Sequence, residues 1–163
     1  MYKTTEEKKV VDELEEPKKT INLLLVEDNQ ADARLVIEYL KENENNENCD
    51  FNITYADCLA RAILEIKDTK LDLDVVILDL GLPDCTGLET FRRLWTEQDS
   101  LLPIIILTGA KLPREQLKSC IEESYDFIFK DSLDSKYLVR AILNAAERHS
   151  AKKKIMLLNA VRN

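Results

Sequence analysis

Five short, mostly apolar runs recur along the chain, each followed by a stretch where apolar residues return at every third or fourth position. The runs are Ile21 to Val26, Phe51 to Ala56, Leu73 to Leu78, Ile104 to Leu107 and Asp126 to Phe129. Continuous aliphatic character predicts strands buried on both faces, whereas the alternation Phe51, Ile53, Tyr55 predicts a strand nearer a sheet edge. The intervening helical stripes are Leu35, Val36, Tyr39 and Leu40; Leu59, Ala62, Ile63 and Ile66; Leu88, Phe91, Leu94 and Trp95; Leu117, Cys120 and Ile121; and Leu138, Ala141, Ile142 and Ala145. Pro113 suits the first turn of the fourth helix, Arg114 to Glu123. Ser135 is the expected cap of the fifth. Lys41 to Asp50, rich in Asn and Glu, reads as an exposed loop. Strands alternating with helices predict an α/β fold, a doubly wound five-stranded parallel sheet with five helices on its two faces.

Length adds two flanking segments to one domain. Residues 1–19 read as a charged leader ending near Pro17, with Val10, Val11 and Leu14 as a weak apolar stripe. Residues 20–149 hold the domain. Residues 150–163 read as a basic, then apolar, C-terminal helical extension or linker, with a frayed tail as the alternative. The net charge of −8 is unevenly spread: the last segment is +4, so the body carries about −11. Such a body repels nucleic acid and suits a site that gathers carboxylates around a cation. No apolar run approaches the ~20 residues of a membrane span, so no membrane association is expected. Four scattered cysteines form no C-x-x-C pair and read as reduced thiols of a cytoplasmic protein.

Reactive groups stand at the ends of four strands. Glu27-Asp28 follows the first, Asp79 the third, Thr108-Gly109 the fourth and Lys130 the fifth. Gly81, Pro83 and Gly87 turn the chain sharply after Asp79. In open parallel sheets, ligands bind at the carboxyl ends of the strands. Three carboxylates gathered there repel unless a cation sits among them. Oxygen donors with retained waters favour Mg²⁺ (or Mn²⁺). Asp79 then becomes a candidate nucleophile toward phosphorus, with Lys130 offsetting phosphoryl charge and Thr108 hydrogen-bonding the product.

Four segments carry a resemblance to the receiver domain of two-component response regulators. They are Leu24-Leu25-Val26-Glu27-Asp28-Asn29; Leu78-Asp79-Leu80-Gly81-Leu82-Pro83-Asp84 with Gly87; Ile106-Leu107-Thr108-Gly109; and Phe127-Ile128-Phe129-Lys130. The resemblance covers residues 20–149 and implies the flavodoxin-like strand order 2-1-3-4-5. It implies that Asp79 is the phosphoacceptor, that Glu27, Asp28, Asp79 and the Gly81 carbonyl bind Mg²⁺, that Thr108 and Lys130 contact the phosphate, and that Thr108 and Phe127 form the switch. The implied partners are a sensor histidine kinase or phosphotransfer protein and a downstream protein target. A homodimer would use either the face of the fourth helix, fifth strand and fifth helix, or the C-terminal helix. Such a domain assists its own phosphorylation and dephosphorylation and is not a conventional turnover enzyme.

Two departures from the pattern bear on these expectations. Asp131 follows Lys130 where the family usually has Pro, and Phe127 lacks the hydroxyl of a switch tyrosine. A receiver-like binding module that is never phosphorylated is the alternative. An aspartyl phosphohydrolase is disfavoured, because a D-x-D signature needs an acid at position 81. His149, the only histidine, reads as a surface or packing residue.

Overall fold

The computed structural model describes residues 17–98 and 101–162. The expected leader, including Val10, Val11 and Leu14, lies up to residue 16 outside the described residues. The elements are β1 (Lys19–Val26), α1 (Gln30–Asn43), β2 (Cys49–Ala56), α2 (Leu59–Lys67), β3 (Val75–Leu78), α3 (Leu88–Glu97), β4 (Ile104–Thr108), α4 (Arg114–Glu123), β5 (Asp126–Phe129) and α5 (Ser135–Arg162). All strand pairings are parallel, in the order β2-β1-β3-β4-β5. The sheet is therefore the doubly wound one that the alternating pattern predicts.

Successive side chains of a strand point to opposite faces, so each aliphatic run fills two cores. Ile21, Leu23, Leu25, Val75, Ile77, Ile105, Leu107 and Ile128 pack against α1 and α5. Leu24, Val26, Val76, Leu78, Ile104 and Ile106 pack against α2, α3 and Cys120 of α4. Each fully buried aliphatic side chain contributes about 1.5–3 kcal/mol. β2 has a partner on one side only, and its burial is correspondingly partial.

Helix ends depart from the sequence reading where a local polar side chain takes over. Asn29 caps α1, its Oδ1 accepting from the backbone N–H groups of Ala31 and Asp32. Glu27 and Asp28 are thereby left to the carboxyl end of the sheet. α1 runs on to Asn43, into the segment expected to be a loop. Its buried stripe is Ala33, Val36 and Leu40, while Leu35 is exposed. Asp134, not Ser135, opens α5: its Oδ1 accepts from Tyr137 N at 2.8 Å. On α4 only Cys120 is buried and Ile121 is exposed, because β5, beside this helix, is short.

α5 is a single helix of 28 residues. Leu138, Val139, Ala141, Ile142, Ala145, Ala146 and His149 are buried against the body. Beyond them Ile155, Met156, Leu157, Leu158 and Val161 are exposed. No helix among the described residues is long and apolar enough to cross a membrane.

Candidate functional site

The order in which strands are added to the sheet reverses between β1 and β3, and the reactive residues collect at that crevice. Val26 and Leu78 are paired in register. Glu27 and Asp79 each follow one of these residues and therefore emerge side by side. Asp79 N donates to Val26 O at 3.0 Å, which fixes the strand end. One carboxylate oxygen from each of Glu27, Asp28 and Asp79 lies within 4.8 Å of the others. Glu27 and Asp79 are buried and Asp28 is exposed.

β4 and β5 supply the donors. Thr108, fully buried, donates its hydroxyl to Asp79 Oδ1 at 2.7 Å and accepts from Ala110 N at 3.1 Å. Gly81 N donates to the same Oδ1 at 3.2 Å. Lys130 Nζ lies 3.1 Å from Asp79 Oδ2 and 2.6 Å from Glu27 Oε2. The two oxygens of Asp79 thus face different donors. Asp131 lies in a single 3₁₀ turn, Lys130–Ser132, and there is no cis peptide bond among the described residues.

Burial and charge set the titration of these groups. Burial raises the Glu27 carboxyl to about 7, with bonds from Lys130 and Asn29 N–H pulling down and the Asp79 charge pushing up. Burial works against the Lys130 ammonium, but hydrogen bonds to Glu27 and Asp32 and the charge of Asp79 outweigh it. Lys130 therefore stays protonated well above the ordinary lysine range.

The turn after Asp79 is held by its own backbone. Gly87 N donates to Leu80 O at 2.8 Å and Leu82 N to Cys85 O at 3.2 Å. Gly87 has φ +70°, a conformation that side chains strain to adopt, and it leads directly into α3. A Cβ at Gly81 or Gly109 would make only ordinary contacts, so packing does not demand glycine at either.

Phe127 is half-buried, packs against the α2–α4 side of the sheet and meets Phe129 edge to face at 5.0 Å. Its ring has no hydrogen-bonding group, and its link to the site is the strand that leads into Lys130. His149 is buried at the far end of the sheet beside Asp72 and Lys153, with no partner for either ring nitrogen among the described residues.

Two carboxylates here have roles that the sequence reading did not give them. Asp32, in the first turn of α1, lies 2.9 Å from Lys130 Nζ. Its only signal is an acid in the first turn of a helix that starts at the site. Asp84 Oδ1 and Oδ2 accept from Leu59 N and Ala60 N, both at 2.9 Å. It therefore caps α2 from the turn after β3. Slight burial opposes ionisation of Asp84, and these backbone bonds outweigh it, so its carboxyl lies below the usual range.

Fold and site together define a doubly wound α/β domain with three carboxylates, Asp79 among them, and one ammonium gathered at the strand ends. Residues 23–143 match the response regulator receiver domain, and the chain belongs to that family. It is 33% identical over 130 residues to the KDP operon transcriptional regulatory protein KdpE of Escherichia coli, covering 80% of this chain and 53% of that protein. It is 30% identical over 141 residues to response regulator ArlR of Staphylococcus haemolyticus, covering 86% and 59%. The chain thus spans a little over half the length of these relatives. Among solved structures, a signal receiver domain from Vibrio parahaemolyticus superposes with TM-score 0.66 at 25% identity, covering 85% of this chain and 97% of that one. A receiver domain from Clostridium thermocellum gives TM-score 0.64 at 20% identity, covering 85% and 98%. Receiver domains of two-component systems are not conventional enzymes.

Proposed function

We propose that Asp79 accepts a phosphoryl group from the phosphohistidine of a sensor histidine kinase or phosphotransfer protein. An Asp79 carboxylate oxygen attacks phosphorus, the P–N bond breaks, and its electron pair returns to the imidazole. What carries this reading is the pair of contacts on Asp79: Thr108 on Oδ1 and Lys130 on Oδ2. After transfer, Thr108 and Lys130 bind the phosphoryl oxygens, the hydroxyl by hydrogen bond and the ammonium by charge.

Glu27, Asp28, Asp79 and the Gly81 carbonyl would hold Mg²⁺ (or Mn²⁺), since the donors are hard oxygens and include no sulfur or nitrogen. When bound, the ion supplies positive charge to offset that developing on phosphorus-bound oxygens.

Phosphorylation puts a group of about −1.5 to −2 charge where the Asp79 carboxylate carried a single negative charge. Thr108 then moves toward the new phosphate and Phe127 rotates inward, shifting the surface of α4, β5 and α5. A downstream protein target reads that surface. Self-association uses either this face or the exposed apolar end of α5. The acidic body argues against direct nucleic-acid contact, and the domain works in the cytoplasm. Residues 20–149 form the receiver, preceded by the leader and followed by the helical extension.

Incubation with a labelled small phosphodonor and Mg²⁺ tests the reading. Wild type takes up acid-stable, alkali-labile label and Asp79→Ala does not. Equal labelling of both would refute it. The never-phosphorylated alternative has no structural observation in its favour.

A further inference from the structure

We propose that Asp32 is a positioning residue that competes with the phosphoryl group on Asp79 for the Lys130 ammonium. This rests on the phosphoacceptor reading and goes beyond it, to a carboxylate outside the acidic trio.

An ammonium has three N–H donors. Those of Lys130 face three carboxylates, at 2.6 Å (Glu27), 2.9 Å (Asp32) and 3.1 Å (Asp79). Lys130 is therefore saturated before any phosphate arrives. To hold a phosphoryl oxygen it must release one partner. Glu27 and Asp79 belong to the trio whose oxygens lie within 4.8 Å of one another and whose charge a cation would neutralise. Asp32 is not in that trio, so its negative charge persists as a rival acceptor. It is also fixed in place: its backbone N–H is tied to the Asn29 cap at 3.1 Å, so its tether is the rigid first turn of α1. The pair borders a hollow lined by Leu35, Val36, Leu107 and Leu133, which limits solvent screening on one side. Asp32 remains partly open, its side chain 41% exposed, so its pull on Lys130 is moderate.

The experiment measures the affinity of the full chain for beryllofluoride, a phosphoryl mimic, by calorimetry at saturating Mg²⁺. Wild type, Asp32→Asn and Asp32→Glu are compared, each also in a Lys130→Ala background. With the rival charge removed, Asp32→Asn binds beryllofluoride about two- to fivefold more tightly, the factor expected for a partly exposed ion pair. Asp32→Glu, which keeps the charge, restores wild-type affinity. In the Lys130→Ala background the gain vanishes, which neither a general charge effect nor a structural role would produce. Unchanged affinity in Asp32→Asn, or a gain that survives loss of Lys130, overturns the proposal. Wild type that takes up no beryllofluoride overturns the phosphoacceptor reading itself, and this proposal with it.

Discussion

The Thr108 hydroxyl and the Asp79 carboxylate meet at 2.7 Å in a position where both residues are buried. They come from neighbouring strands, β4 and β3, so the sheet itself sets their distance. Thr108→Val leaves Asp79 Oδ1 with Gly81 N–H as its remaining donor. The expected loss of folding stability is about 1–3 kcal/mol, measured by urea denaturation. Labelling of Asp79 falls in the same variant, and Thr108→Ser recovers most of both.

Lys130 neutralises a pocket of three acids, so its removal acts most strongly without metal. Lys130→Met leaves Glu27 and Asp79 buried and unpaired, a destabilisation of roughly 3–5 kcal/mol. Mg²⁺ held by the acidic trio would relieve the same repulsion. Thermal melts with and without Mg²⁺ therefore show a larger metal-induced rise in Tm for Lys130→Met than for wild type. Equal rises would mean that ammonium and ion do not share these carboxylates.

The Glu27 carboxyl gives a pH dependence of unusual sign. Its folded value of about 7 lies above the ordinary 4.5. The folded state holds the proton more tightly than the unfolded chain. In the metal-free protein this stabilisation is complete below about pH 4.5 and is lost as pH rises through 7. It amounts to roughly 3 kcal/mol at most. Mg²⁺ competes with the same proton, so its affinity rises with pH up to about 7 and then levels. Glu27→Gln removes the stability trend, which chemical denaturation across pH 4–8 reads directly.

Asp84→Ala removes the two-bond cap on α2. The cost is about 1 kcal/mol of stability, measured by denaturation, while Mg²⁺ binding at the acidic trio is retained. A larger loss would mean that the turn after Asp79 depends on this carboxylate as well.

The exposed apolar residues of α5 predict concentration-dependent association of the full chain. A chain ending at residue 150 retains the buried face of α5, including His149, and remains monomeric by light scattering. Identical masses for both would remove the extension as a pairing element.

Which of these features the sequence announced follows from how local their causes are. The strands were legible because Val75 to Leu78 and Ile104 to Leu107 are apolar on both faces, and only a covered sheet needs that. Glu27, Asp79, Thr108 and Lys130 were legible because polar groups are costly at the ends of such strands unless they gather. Asp32 was not, because an acid in the first turn of a helix is ordinary without any further role, and its partner Lys130 lies 98 residues away. The capping role of Asp84 was hidden for the same reason: it closes a helix that precedes it in the chain. Leu35 misled because helical spacing gives a stripe without saying which edge of it meets the sheet. The burial of His149 depends on where α5 crosses the far end of the sheet, and this the local pattern does not contain.

α5 joins two environments in one unbroken rod. Ala145 is locked against the sheet, and Val161 lies about 24 Å further along the axis at 1.5 Å per residue. A rigid arm anchored at one end amplifies rotation. A few degrees of rocking at the anchor become a sideways sweep of a couple of ångströms at the tip, enough to change which side chains meet across a paired helix.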